Sequence, residues 1–407
     1  MNNNKYNLHL EALRGIAAIL VFLTHLTGPV FFFRLNNSYL LRSIGAWGTE
    51  AVILFFVLSG IVIHASFDKV PRSNSGFLAN RIIRLHPILI VTILFTVLVD
   101  KLIINHPVST WQVIGNIIPV STFSGALAKL YMDSNPVIWS LSFEMFFYVM
   151  FAVGGIYKRK INQKFLNAWF ILSIAGIIAY YNITSTVPVV NYLLLMMSFS
   201  CIWLIGFFIW YVQKKYVITI FSAVLSMCCL PLISRLHITA NYYDPVKYLL
   251  FAIASIPFFA YLCQLDGNYK KDRIKGTLWL CITLSCLLFS AALLIMDNSY
   301  KNTVKYIYIF LPFIAFLFYN NSLKKLAKKI YYSVILLPFS FIGTLSYSIY
   351  LVHFPILVVI NQLSMPIYLK IVLSIVVVFA VSLFSEYYFQ PFVKGLFKKK
   401  IYKLTSS

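Results

Sequence analysis

Carboxylates are what this sequence has least of: 11 Asp and Glu against 34 Lys and Arg, with charged side chains making up only 11% of 407 residues. A chain that is 60% hydrophobic with so little charge lacks the polar surface to coat a water-soluble globule. No polar stretch is long enough for a soluble domain at either end, the longest being "HASFDKVPRSNSGFLANRIIR" from His64 to Arg84. Cysteine is scarce too. The six (Cys201, Cys228, Cys229, Cys263, Cys281 and Cys286) all lie in apolar runs, without the spaced pairs of a disulfide framework or a zinc site, so no metal ion is expected. The formal charge of +23 would suggest nucleic acid in a soluble chain. Here the basic residues sit in short segments between apolar runs, which excludes a nucleic-acid partner and makes membrane lipid the expected surrounding.

What the chain has in abundance is apolar length. A span needs about 20 apolar residues, and runs meet that need near 10–33, 44–66, 85–104, 137–156, 165–182, 189–211, 216–234, 247–265, 276–296, 303–320, 338–361 and 367–390. A further stretch, 111–127, is interrupted by Asn116, Pro119 and Gly125 and reads as a re-entrant or interfacial segment. The first run follows a basic start but has no Ala-x-Ala cleavage site, so it reads as the first helix of the mature protein.

Alternate loops differ sharply in charge. One set holds Lys5, the Lys69–Arg84 segment, Lys158–Lys164, Lys214 and Lys215, Lys270–Lys275, Lys324–Lys329 and the lysines from Lys394 to Lys403. The other holds only Arg34, Arg42, Lys101, Lys129, Arg235, Lys247, Lys301 and Lys305. The richer set is expected to face the cytoplasm, which puts both termini inside. The expected fold is all-α, a polytopic bundle of 10 to 12 transmembrane helices. The expected organisation is one transmembrane domain over 1–395 and a basic cytoplasmic tail over 396–407.

Ionisable residues inside these runs need a reason, because each costs roughly 2.5 to 3.5 kcal/mol at a helix centre. In "EALRGIAAILVFLTHL" (Glu11–Leu26), Arg14 and His25 are 11 residues apart. That is about 16 Å of helix, and the rotation returns to within roughly 20°, so the two share a face. In "RIIRLHP", Arg81 and Arg84 are three apart at the cytoplasmic start of a helix, placed either as anchors or to grip phosphate bidentately. In "NPVIWSLSFEMFFYVMF", Glu144 lies about two turns into its helix, where it needs a partner or a wet cavity. "GTLSYSIYLVHFP" puts Ser346, Tyr347, Tyr350 and His353 on one helix. Glu386 in "FSEYYFQP" falls near the inner interface, where solvation would account for it.

In order along the chain, "LEALRGIAAILVFLTHL", "FFVLSG", "RIIRLHP", "WSLSFEMFFY" and "LSYSIYLVHFP" resemble the integral-membrane acyltransferase family 3, the bacterial sugar O-acyltransferases. The resemblance covers residues 10 to 390. Many members carry an acidic residue just ahead of the paired phenylalanines of the second helix, where this chain has Ile53, with Glu50 one turn earlier.

The resemblance implies an O-acetyltransferase of the bacterial inner membrane. It implies acetyl-CoA or another acyl-CoA as donor, and a surface or lipid-linked glycan such as O-antigen, capsule or exopolysaccharide as acceptor. It implies catalytic roles for Arg14, His25 and Glu144, with Arg81 and Arg84 toward the acyl-CoA phosphates. A neutral imidazole at His25 would take the proton of an attacking sugar hydroxyl. Glu144 would orient His25 or bind the sugar, Ser140 or Tyr347 would donate to the developing oxyanion, and His353 is a further candidate contact. A transporter or flippase of a glycan or small solute is the rival reading, and the sequence leaves the oligomeric state open.

Overall fold

The computed structural model describes residues 7–27, 47–121, 130–183, 187–234, 236, 244–265, 274–275, 329 and 331–397. Two of the expected spans, 276–296 and 303–320, lie outside the described residues, as does most of the expected basic tail. Within them the chain is all-α, with α1 (Leu8–Thr27), α2 (Gly48–Lys69), α3 (Asn74–Val99), α4 (Thr110–Ile117), α5 (Trp139–Met150), α6 (Gln163–Asn182), α7 (Pro188–Lys215), α8 (Ile220–Ser234), α9 (Pro245–Leu265), α10 (Leu337–Asn361) and α11 (Ile367–Phe384). Several run on through π-helical turns, as α3 does over Asp100–Ile104 and α11 over Ser385–Phe389. The only described strands are two-residue pairs, Ile156–Tyr157 with Lys160–Ile161 and Tyr216–Val217 with Ile274–Lys275.

Nine described helices are long and apolar enough to cross a membrane. The run at 216–234 folds as α8, whose 15 residues fall short of the roughly 20 a crossing needs. The interrupted stretch after residue 110 begins with the eight residues of α4, opened by a capping box between Ser109 and Gln112. Asn116 turns it back: its amide donates to the Gln112 and Leu130 carbonyls and accepts from the Ser121 hydroxyl, so backbone that leaves the helix stays hydrogen-bonded.

The chain divides into two compact units. One comprises Met1–Ile16, Ile53–Ala65 and Ile202–Gly343. Its helices touch backbone to backbone at reciprocal glycines. A Cβ on Gly15 would strike the Phe339 carbonyl oxygen, and one on Gly343 would strike that of Glu11. Gly60 and Gly206 repeat the device between α2 and α7, against the Trp203 and Val57 carbonyls. Without a hydrophobic force between helices in lipid, such close approach and the hydrogen bonds it permits hold the bundle. Trp203 Nε1 donates to Ser59 Oγ at 3.2 Å, and His64 Nδ1 donates to the Phe207 carbonyl at 2.7 Å. Close packing is thus what the Ser59–Gly60 pair does.

The other unit comprises Ala17–Val52, Ser66–Cys201 and Thr344–Ser407. Its centre is aromatic: Phe143 packs on Phe199 and Phe77 on Phe151, and Trp169 on α6 is buried against Phe165. α11 buries little and turns an apolar surface outward, as a lipid-facing helix does. In α3, Pro87 has no N–H to give the Ile83 carbonyl. Gln390 Nε2 supplies it at 2.8 Å and also reaches the Arg84 carbonyl at 3.1 Å, while the Tyr347 hydroxyl donates to the Leu85 carbonyl at 2.7 Å. Three consecutive carbonyls above the proline are therefore capped by side chains from later helices, which fixes the helix turn that carries Arg84.

Candidate active site

Two of the seven histidines meet in the second unit. His353 Nε2 lies 3.0 Å from His25 Nδ1, with ring centroids 5.0 Å apart. His25 Nδ1 is also 3.0 Å from the Val21 carbonyl, and His353 Nδ1 is 2.9 Å from that of Ile349. A carbonyl only accepts, so both Nδ1 atoms carry protons. His353 is 0% exposed and walled by the edges of Phe22, Tyr350 and Phe354; His25 is partly exposed.

α10 acts as a ruler from this pair. Five residues before His353, about 7.5 Å of helix, Ser348 donates to Glu386 at 2.9 Å. Glu386 in turn accepts both Nη atoms of Arg84, at 3.0 to 3.2 Å. The Glu386 side chain is only 8% exposed. Solvation at the interface does not account for Glu386, because the carboxylate is buried in a fork against Arg84. The sequence could have shown this through the rarity of acids: a chain with 11 carboxylates seldom leaves one inside a span without a partner.

Arg81 is held differently. Its guanidinium lies over the rings of Phe77 and Tyr148, at 5.7 and 5.8 Å, with Nε buried and without a hydrogen-bond partner. No carboxylate pairs with it among the described residues. Arg72, just outside the spans, donates to Ser66 Oγ at 3.0 Å; burial and the Arg81 charge draw its pKa below the usual arginine value. Tyr148 links this cationic region to the acid, since its hydroxyl donates to Glu144.

The remaining candidates have other partners. Arg14, on the first-unit end of α1, donates to both Glu11 oxygens at 2.8 and 2.9 Å. Tyr350 donates to the Val137 carbonyl at 2.8 Å and lies 2.7 Å from Ser140 Oγ, which is itself 3.5 Å from that carbonyl, so the Ser140 hydroxyl is engaged within the fold. Tyr347 has one hydroxyl proton, and it goes to Leu85. The structure thus brings together His25 with His353, Arg84 with Glu386 and Tyr347, and Arg81 with Glu144 through Tyr148; the protons of Ser140 and Tyr347 are engaged within the fold. Sequence reasoning missed Tyr148 and Gln390, for which only their i, i+4 spacing from Glu144 and Glu386 gave a signal.

A multi-helix membrane protein with an imidazole pair, a buried guanidinium–carboxylate fork and a second arginine left uncompensated is the class these features define. The chain belongs to acyltransferase family 3: the family model described as an acyltransferase domain matches residues 7–388. No curated protein and no solved structure matches it significantly. It is accordingly a multi-pass membrane acyltransferase.

Proposed function

We propose that the protein moves a short acyl group, acetyl first, from cytoplasmic acyl-CoA to a hydroxyl of a surface or lipid-linked glycan in the bacterial inner membrane, with both termini in the cytoplasm. The observation that carries this reading is the state of His25. With Nδ1–H donated to the Val21 carbonyl, the lone pair resides on Nε2, which is the form a general base needs. Nε2 takes the proton of the sugar hydroxyl as its oxygen attacks the thioester carbonyl. The C–S bond then breaks, the proton passes to the departing sulfur, and the products are the sugar ester and CoA–SH.

Arg81 supports docking of the donor. Its charge has no carboxylate opposite it among the described residues, and its pairing with a phosphate oxygen would satisfy the buried Nε. Arg84 serves that site from within its fork with Glu386, and Glu144 stands across Tyr148 from Arg81, toward the acceptor. Loss of glycan-bound acetate on replacing His25 by Ala, with normal membrane insertion, tests the reading. Undiminished acetylation, or solute uptake that follows the chain, would favour the transporter instead.

A further inference from the structure

We propose that His353 is a positioning residue for His25, the fully buried acceptor against which the working imidazole is held. The inference rests on the general-base reading of His25 and adds a partner to it. Hydrogen-bond geometry assigns each proton. His353 Nδ1–H points into its own helix at the Ile349 carbonyl, so His353 Nε2 holds a lone pair, and that atom faces His25 Nδ1 at 3.0 Å. The His25 Nδ1–H is therefore shared between two acceptors, the Val21 carbonyl on its own helix and the His353 ring on another.

The two acceptors do different work. Val21 lies one turn back on α1 and fixes the tautomer. His353 comes from α10 and adds a restraint from a second helix on the direction of the ring plane, at a torsion, χ2, whose intrinsic preference is broad. His353 cannot swing itself: it is 0% exposed, bonded to Ile349, and enclosed by Phe22, Tyr350 and Phe354. When His25 gains the hydroxyl proton on Nε2 and becomes imidazolium, the His353 lone pair meets the increased charge on Nδ1–H. This is the part an aspartate plays beside histidine in a hydrolase triad, performed here by a neutral ring that leaves no buried negative charge when the site rests.

The test uses the full-length chain in nanodiscs, with acetyl-CoA as the varied substrate, membranes from cells lacking the chain as acceptor source, and CoA thiol release as the readout. His353→Phe keeps the ring and loses the acceptor; His353→Gln places an amide oxygen near the Nε2 position. The expected result is a fall in kcat of about 10²-fold for Phe, a scale set by misplacement of a reacting group, with the KM for acetyl-CoA unchanged, and recovery of most of that loss in Gln. Equal activity of His353→Phe and the native chain overturns the inference, as does an equal loss in Phe and Gln when both reach the membrane in native amount. His25→Ala, run alongside, separates the two failures. If it remains active, the base reading falls; if it is inactive while His353→Phe is not, only the positioning role falls.

Discussion

Arg84 and Glu386, 302 residues apart in the chain, form a two-pronged ion pair whose carboxylate is 8% exposed and also receives the Ser348 hydroxyl. Removing one partner of such a pair leaves a charge buried without compensation, which costs about 3 to 5 kcal/mol. Arg84→Ala is expected to lower the thermal transition of the detergent-solubilised protein by several degrees. Adding Glu386→Gln should restore part of the loss, because the stranded charge is gone. A double variant no more stable than Arg84→Ala would show that the fork does not bear on the fold.

Arg81 predicts the opposite pattern. Its guanidinium lies on two rings without a carboxylate, so Arg81→Ala should change stability little. A charge-assisted hydrogen bond is worth about 1.5 to 3 kcal/mol, so loss of one to a donor phosphate should raise the KM for acetyl-CoA by roughly 10- to 100-fold. An unchanged KM, measured by thiol release, would remove Arg81 from the donor site.

His25→Ala should reduce acyl transfer by roughly 10² to 10⁴, the range of general-base contributions. Membrane insertion should be unchanged, since replacing His25 by Ala leaves the apolar length of α1 intact. Base-labile acetate on surface glycans is the measurement.

Gln390 and Pro87 are expected to be coupled. Gln390→Leu strands the Ile83 carbonyl and should destabilise by about 1 to 3 kcal/mol. Pro87→Ala supplies a backbone N–H to that same carbonyl, so in its presence the Gln390→Leu loss should shrink. Strict additivity in a thermal double-mutant cycle would show that the carbonyl is satisfied by other means.

The helices were legible because hydropathy reports them directly: nine of the expected spans appear as long apolar helices among the described residues. The run at 216–234 is the exception, its helix α8 covering only Ile220–Ser234 among the described residues. Within the candidate site, spacing along α1 singled out His25, and residue type singled out Arg81, Arg84 and Glu144. Pairing across helices was hidden. Nothing in "FSEYYFQP" says that Glu386 reaches α3, or in "YSIYLVHFP" that His353 turns toward α1, since those facts depend on how distant segments cross. Hydroxyl partners were equally hidden: Ser140 and Tyr347 have the right chemistry for an oxyanion, but Ser140 is engaged with Tyr350 and the Val137 carbonyl, and Tyr347 with the Leu85 carbonyl.

The reciprocal glycines Gly15 and Gly343 bring the backbones of α1 and α10 together with no side chain between them. A Cβ at either position would run into the facing backbone carbonyl and not into a side chain that can turn aside. Gly15→Ala should therefore cost stability that no change of rotamer recovers.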